Sequence, residues 1–149
     1  MEQPTNIFRH ILVPTDGSEP ATTAGKFAIR LAAEQGARIT FVYVVDTTVA
    51  NELRDLSGKT AQQVLQELER TGQRHLDYLT RRATAVQLTV AHHIRKGTPS
   101  TEITELAGEQ DVDLIVIAQV GHRGLRRILI GNVTERVIET APCPVLVVK

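Results

Sequence analysis

Five short aliphatic runs alternate with longer helical stretches along this chain, and that alternation limits what it can fold into. His10–Pro14 is the first run. Residues 38–45 are rich in β-branched and aromatic side chains and predict a buried strand. Residues 86–94, 113–118 and Val145–Val148 complete the set. Strand and helix in strict alternation predict a parallel sheet with right-handed crossovers and helices on both faces. The expected class is α/β, in a single domain over residues 1–149.

The helical stretches are read from their period. Residues 19–35 place Ala24, Phe27, Ala28, Leu31 and Ala32 on one side, and Gly36 is a natural stop. Residues 59–83 carry Ala61, Val64, Leu65, Leu68, His75, Leu76 and Leu79 on one stripe and predict a long amphipathic helix. Gly97-Thr98-Pro99 opens another, with Ile103, Leu106 and Ala107 inward. Residues 131–140 form the last, carrying Val133, Val137 and Ile138. Residues 46–58 are polar and irregular, and are expected to form a loop.

Composition excludes several functions. Lys+Arg and Asp+Glu both number 17, so the formal net charge is zero, unlike a binder of nucleic acid or anionic membranes. The chain has no Trp and 3% aromatic residues, too few for base-stacking platforms. Its longest apolar runs, residues 41–45 and Leu114–Ala118, are too short to span a bilayer. The start resembles no signal peptide, and the lone Cys143 can form no internal disulfide, so a cytoplasmic setting is expected. Cys143 lies between two prolines and reads as structural rather than reactive.

In a sheet of this kind, ligands bind at the carboxyl ends of the strands where the winding reverses. Two segments lie at such ends: Pro14-Thr15-Asp16-Gly17-Ser18, and residues 118–124. After the latter, Gly121 is followed by nine residues and then Gly131-Asn132-Val133-Thr134. Glycines there let the backbone approach a phosphate and adopt dihedrals that other residues avoid. The free N–H groups of the next helix then face the anion. His122, Arg123, Arg126 and Arg127 make the intervening loop positive, and Gly124 lies off the spacing. Asp16 has two readings, a ligand group or a turn residue before the first helix.

Other chemistries lack their residues. His92 and His93 are adjacent in a strand and point to opposite faces, and His75 belongs to a packing stripe. No lysine follows Gly131, which separates this spacing from a P-loop. None of the serines sits in a nucleophile elbow. With no evident general base, hydrolysis of any phosphate bound at the strand ends is expected to be slow.

The residues Ile11-Leu12-Val13-Pro14-Thr15-Asp16-Gly17-Ser18, the Gly97-Thr98-Pro99 turn, and the closing residues 131–138 and 141–148 together resemble the universal stress protein family, in order and over essentially the whole chain. The resemblance implies a Rossmann-like five-stranded fold, commonly dimeric. One branch of the family binds ATP through glycine, two residues, glycine, nine residues, glycine, then serine or threonine. Here that motif becomes Ala118, Gln119-Val120, Gly121, nine residues, Gly131, Asn132. Its spacing is intact, with Ala118 and Asn132 as the two departures. The Asn132 amide still donates to a phosphate, whereas the Ala118 Cβ crowds the site and is strained if the turn demands positive φ.

The resemblance implies a nucleotide site of Pro14, Thr15, Asp16, Val44, Ile117, Ala118, Gly121, Gly131, Asn132, Val133 and Thr134. It would take ATP, with or without Mg²⁺, and act through regulation or assembly. The alternatives are a nucleotide-free stress adaptor with an occluded site, and a nucleotidyl- or sulfur-transfer enzyme. The latter would need a richer phosphate-gripping loop after the first strand. The last strand, Val145–Val148, is short and apolar and is expected to pair with a second copy in a homodimer.

Overall fold

The computed structural model describes residues 6–121 and 130–149. Strands β1 (His10–Pro14), β2 (Arg38–Asp46), β3 (Val90–Gly97), β4 (Leu114–Ala118) and β5 (Val145–Val148) form one sheet in the order β3-β2-β1-β4-β5. Every pairing is parallel, from Ile11 against Ile39 to Ile115 against Val145. The chain winds outward from β1 to β3, then crosses back to β4, so the winding reverses between β1 and β4.

Helices α1 (Glu19–Gln35), α2 (Thr47–Ser57), α3 (Ala61–Ala85), α4 (Pro99–Glu109) and α5 (Asn132–Thr140) fill the crossovers. Alternate strand residues divide into two cores. Ile11, Val13, Phe41, Val45 and Val116 meet Ala28 and Ala32 of α1 and Leu76 and Leu79 of α3. Leu12, Val42, Ile115 and Ile117 meet Ile103 and Leu106 of α4 and Val137 of α5. The central strands β1 and β4 are buried on both faces, which explains their unbroken aliphatic sequences.

Local chemistry sets the ends of the helices. Ser18 caps α1 by accepting the Ala21 N–H, and Gly36 closes it in the left-handed region at φ 63°. Thr60 and Gln63 form a reciprocal capping box on α3. The Asp113 carboxylate accepts the N–H groups of Arg9 and His10 and so fixes the start of β1 beside β4.

The structure corrects four expectations. Residues 47–57 are helix α2, not a loop: the Asp46 side chain accepts the Thr48 N–H, and Gly58 ends the helix at φ 72°. Its only buried residue is Ala50, so the apolar signal was faint. Strand β3 begins at Val90 rather than residue 86, because α3 runs on to Ala85 and Gln87 turns the chain at φ 64°. On α1, Phe27 is exposed and small residues face the sheet, with Gly25 packed under Leu79. On α5, Thr134 and Val137 are buried while Val133 and Ile138 are exposed. Among the described residues, no helix is long and apolar enough to cross a membrane.

Candidate functional site

A cavity of about 600 Å³ opens at the carboxyl ends of β1, β2 and β4, beside the point of reversal. That size is in the range of pockets that hold small ligands, roughly 300–1,000 Å³. Pro14, Thr15 and Asp16 reach it from β1, and Val44 from β2. Ile117, Ala118 and Gly121 reach it from β4, and Gly131, Asn132, Val133 and Thr134 from the start of α5. The sequence-predicted residues therefore share one cavity, although they come from opposite ends of the chain.

The loop after β1 is held by its own side chains. The Thr15 N–H donates to the Val42 carbonyl at 2.8 Å, and Thr15 Oγ1 accepts the Gly17 N–H at 3.1 Å. Asp16 Oδ1 accepts the Ser18 N–H at 2.9 Å. Asp16 thus acts as a turn residue while also lining the cavity, and Ser18 is the helix cap. Gly17 takes φ 81°, and any Cβ on it would overlap the His75 ring of α3. His75 in turn stacks on Tyr43, at 6.5 Å between ring centroids. Burial, reinforced by the negative charge of Asp16, pushes the Tyr43 phenol above its usual range.

The end of β4 is tied to α5. Gln119 donates its N–H to the Val148 carbonyl, and Gly131 donates to the Gln119 carbonyl at 2.8 Å. The buried Thr134 hydroxyl donates to the Ala118 carbonyl at 2.7 Å. These bonds place the first turn of α5 over the strand end, where its N–H groups have no partners within the helix.

Neither glycine is needed for an unusual dihedral, and Gly121 is the one whose small size matters to the protein. Gly131 has φ −72°, and Gly121 is not among the glycines with positive φ. A Cβ on Gly121 would overlap the Asp16 carboxylate, so a side chain there requires that carboxylate to move. A Cβ on Gly131 would meet protein atoms no nearer than 3.4 Å. Ala118 is a regular β4 residue paired with Val148 and not among the positive-φ residues, so the strain expected from alanine there is absent.

Sequence reasoning missed part of the wall. Tyr43 and Asp46 of β2, Val49 of α2, Leu68 and Thr71 of α3, and Pro99 and Ile103 of α4 also line the cavity. Asp46 and Val49 were hidden by the failure to recognise α2. Leu68 belongs to the apolar stripe of α3, and nothing in that periodicity marks its helix as the border of a pocket. His122, Arg123, Gly124, Arg126 and Arg127 lie outside the described residues. On β3, His92 faces Gln73 and Thr80 of α3, whereas His93 faces Gln110 beyond α4.

Comparison with known proteins gives a consistent result. Residues 7–149 match the sequence model of the universal stress protein family. The chain is 38% identical to universal stress protein MJ0531 of Methanocaldococcus jannaschii, over 97% of its own length and 84% of that protein's. It superposes on the solved structure of MJ0577 with a TM-score of 0.85 at 28% identity, covering 96% of each chain. A universal stress protein solved in complex with cAMP matches with a TM-score of 0.71 at 26% identity, covering 95% of this chain and 97% of the other.

Proposed function

This chain belongs to the universal stress protein family, and on that premise we propose that it binds ATP, with or without Mg²⁺, in the cavity at the ends of β1 and β4. The observation that carries the proposal is the convergence of Asp16, Val44, Gly121 and Gly131 on one cavity of ligand size. The cAMP complex of a relative supports an adenine nucleotide as the ligand class.

Strand order suggests how such a ligand lies. The β4 end with α5 offers amides and a favourable helix dipole to phosphates. Asp16, at the end of the central β1, stands where ribose hydroxyls can donate to it. The β2 end offers the backbone of Val44 and the apolar side chains of Val49 and Leu68 to the base. Asn132, the first residue of α5, has an amide that can donate to a phosphate oxygen. Mg²⁺ would arrive with the phosphates. On this reading the protein is a cytoplasmic regulator that signals through its bound state and through a homodimer formed at β5.

Calorimetric titration with ATP and MgCl₂ tests the proposal, together with mass spectrometry of small molecules that copurify with the native protein. Saturable binding is expected. The absence of both heat and thermal stabilisation at millimolar ATP would reject the proposal in favour of a nucleotide-free adaptor with the same fold.

A further inference from the structure

We infer that Asp46 selects the base: it makes the site prefer purines with a 6-amino group over those with a 6-oxo group. The inference rests on the proposed nucleotide site and adds a specificity-determining residue to it.

Asp46 is the last residue of β2, paired with Gly97, and it lines the cavity. It lies two residues past Val44, so strand alternation puts both on one face. Among the described residues, the ionisable carboxylates in the cavity wall are Asp16 and Asp46. They occupy different strand ends. Asp16 lies against Gly121 on the β4 side, whereas Asp46 stands on the far side of β1. A phosphate beside Asp46 would be repelled by its like charge. The same phosphate at the start of α5 meets unpaired amides. The nucleotide is therefore oriented with its base toward Asp46.

Around that end the wall is apolar at Val49 and Leu68, so few polar side chains can read the base edge. Thr71 has a hydroxyl that rotates to donate or accept, and it distinguishes little. An ionised carboxylate only accepts. The bond from the Thr48 N–H to Oδ1, at 3.0 Å, fixes its direction and uses one of its several acceptor sites. An exocyclic amine at position 6 of the purine can donate to it. A carbonyl oxygen at that position presents lone pairs to a negative charge. Where a site is built for a hydrogen bond, an analogue that cannot form it is rejected strongly.

The test compares ATP with inosine 5′-triphosphate by calorimetry on the full chain, native and Asp46→Asn. Asparagine caps helices as well as aspartate does, so α2 is preserved, and circular dichroism checks this. Its amide can also donate, so a 6-oxo group becomes acceptable. The native protein is expected to prefer ATP by about tenfold or more, as for one hydrogen bond to a charged group. The variant should reduce that ratio to near unity. Equal affinities in the native protein, or a preference that survives in Asp46→Asn, would overturn the inference while leaving ATP binding intact. A native protein that binds neither nucleotide would overturn the nucleotide site and the inference together.

Discussion

Gly121 lies directly against Asp16 in the cavity wall: a Cβ on Gly121 would overlap Oδ2 of the Asp16 carboxylate. The loop after β4 and the loop after β1 are thus fitted to each other. Glycine at 121 leaves room for the carboxylate where it stands and is not needed for a dihedral.

Substituting Gly121 should therefore damage the site before the fold. Gly121→Ala displaces the Asp16 carboxylate and is expected to weaken ATP roughly tenfold or more, the worth of one charged hydrogen bond. Gly121→Val should abolish measurable binding. Gly131→Ala is the matched comparison, because its Cβ fits the protein without close contact. As the N-cap of α5 it should lose at most about 1 kcal/mol of stability, so a loss of affinity beyond that effect reports contact with the ligand. Unchanged ATP affinity in Gly121→Val would remove Asp16 from the binding site.

If the turn at Ala118 demanded positive φ, Ala118→Gly would relieve strain and tighten ATP. The β4 geometry removes that condition, because Ala118 has ordinary strand dihedrals and no strain to relieve. The glycine variant should lose about 0.5–1 kcal/mol of stability, the usual cost of glycine inside a strand. Its ATP affinity should stay close to native. Calorimetry and thermal melting check the two separately. A clear tightening would show that the alanine methyl crowds the ligand itself.

The fold was legible where the periodic signal was strong, and the site where the motif was local. Strands β1, β2, β4 and β5 and helices α1, α3, α4 and α5 follow from alternating apolar runs. Helix α2 did not, because it buries only Ala50 and depends on the Asp46 cap and on packing against α3. The start of β3 was misplaced because Val86 and Leu88 look like strand residues, although the first is exposed and the second packs at a turn. Glycine spacing pointed to the β1, β4 and α5 walls. It carried no information on Val49, Leu68 or Thr71, which reach the cavity only after α2 and α3 fold over β2. The spacing also suggested unusual dihedrals, when the real demand was space beside Asp16.

His10 predicts a pH dependence. Its ring is 4% exposed, with Nδ1 donating to the Gln110 carbonyl at 3.2 Å and Nε2 accepting from the Thr40 hydroxyl at 2.7 Å. Burial, and secondarily Arg38, lowers its pKa below the usual 6.5. His93 is lowered in the same sense by burial and then by Arg95. The unfolded chain therefore binds more protons than the native one below about pH 6.5. This stability is complete above that pH and is lost as pH falls toward the native value. Urea denaturation at pH 7.5, 6.5 and 5.5 should give a falling midpoint, and His10→Gln should flatten the slope. A slope unchanged in that variant would show that His10 is not its source.

The last prediction concerns β5, which is an edge of the sheet. Its residues are all half-buried, and Val133 and Ile138 of the neighbouring α5 expose apolar surface. Ile115 donates to the Pro144 carbonyl, and Gln119 donates to the Val148 carbonyl, so the even-numbered residues 144 and 148 face β4. In a parallel ladder, residues 145 and 147 then turn their N–H and C=O groups outward. An open row of donors and acceptors beside apolar side chains invites another strand. A second copy, antiparallel across a two-fold axis, pairs both rows at once and closes the assembly. Light scattering should report about twice the 16.4 kDa chain mass. Val147→Pro removes one outward donor and leaves the bonds to β4 in place, since proline is tolerated where the N–H of an edge strand faces away from the sheet. That variant should shift toward monomer while keeping its circular dichroism spectrum. A native protein that stays monomeric at high micromolar concentration, or a proline variant that dimerises as strongly as native, would place the interface elsewhere or remove it.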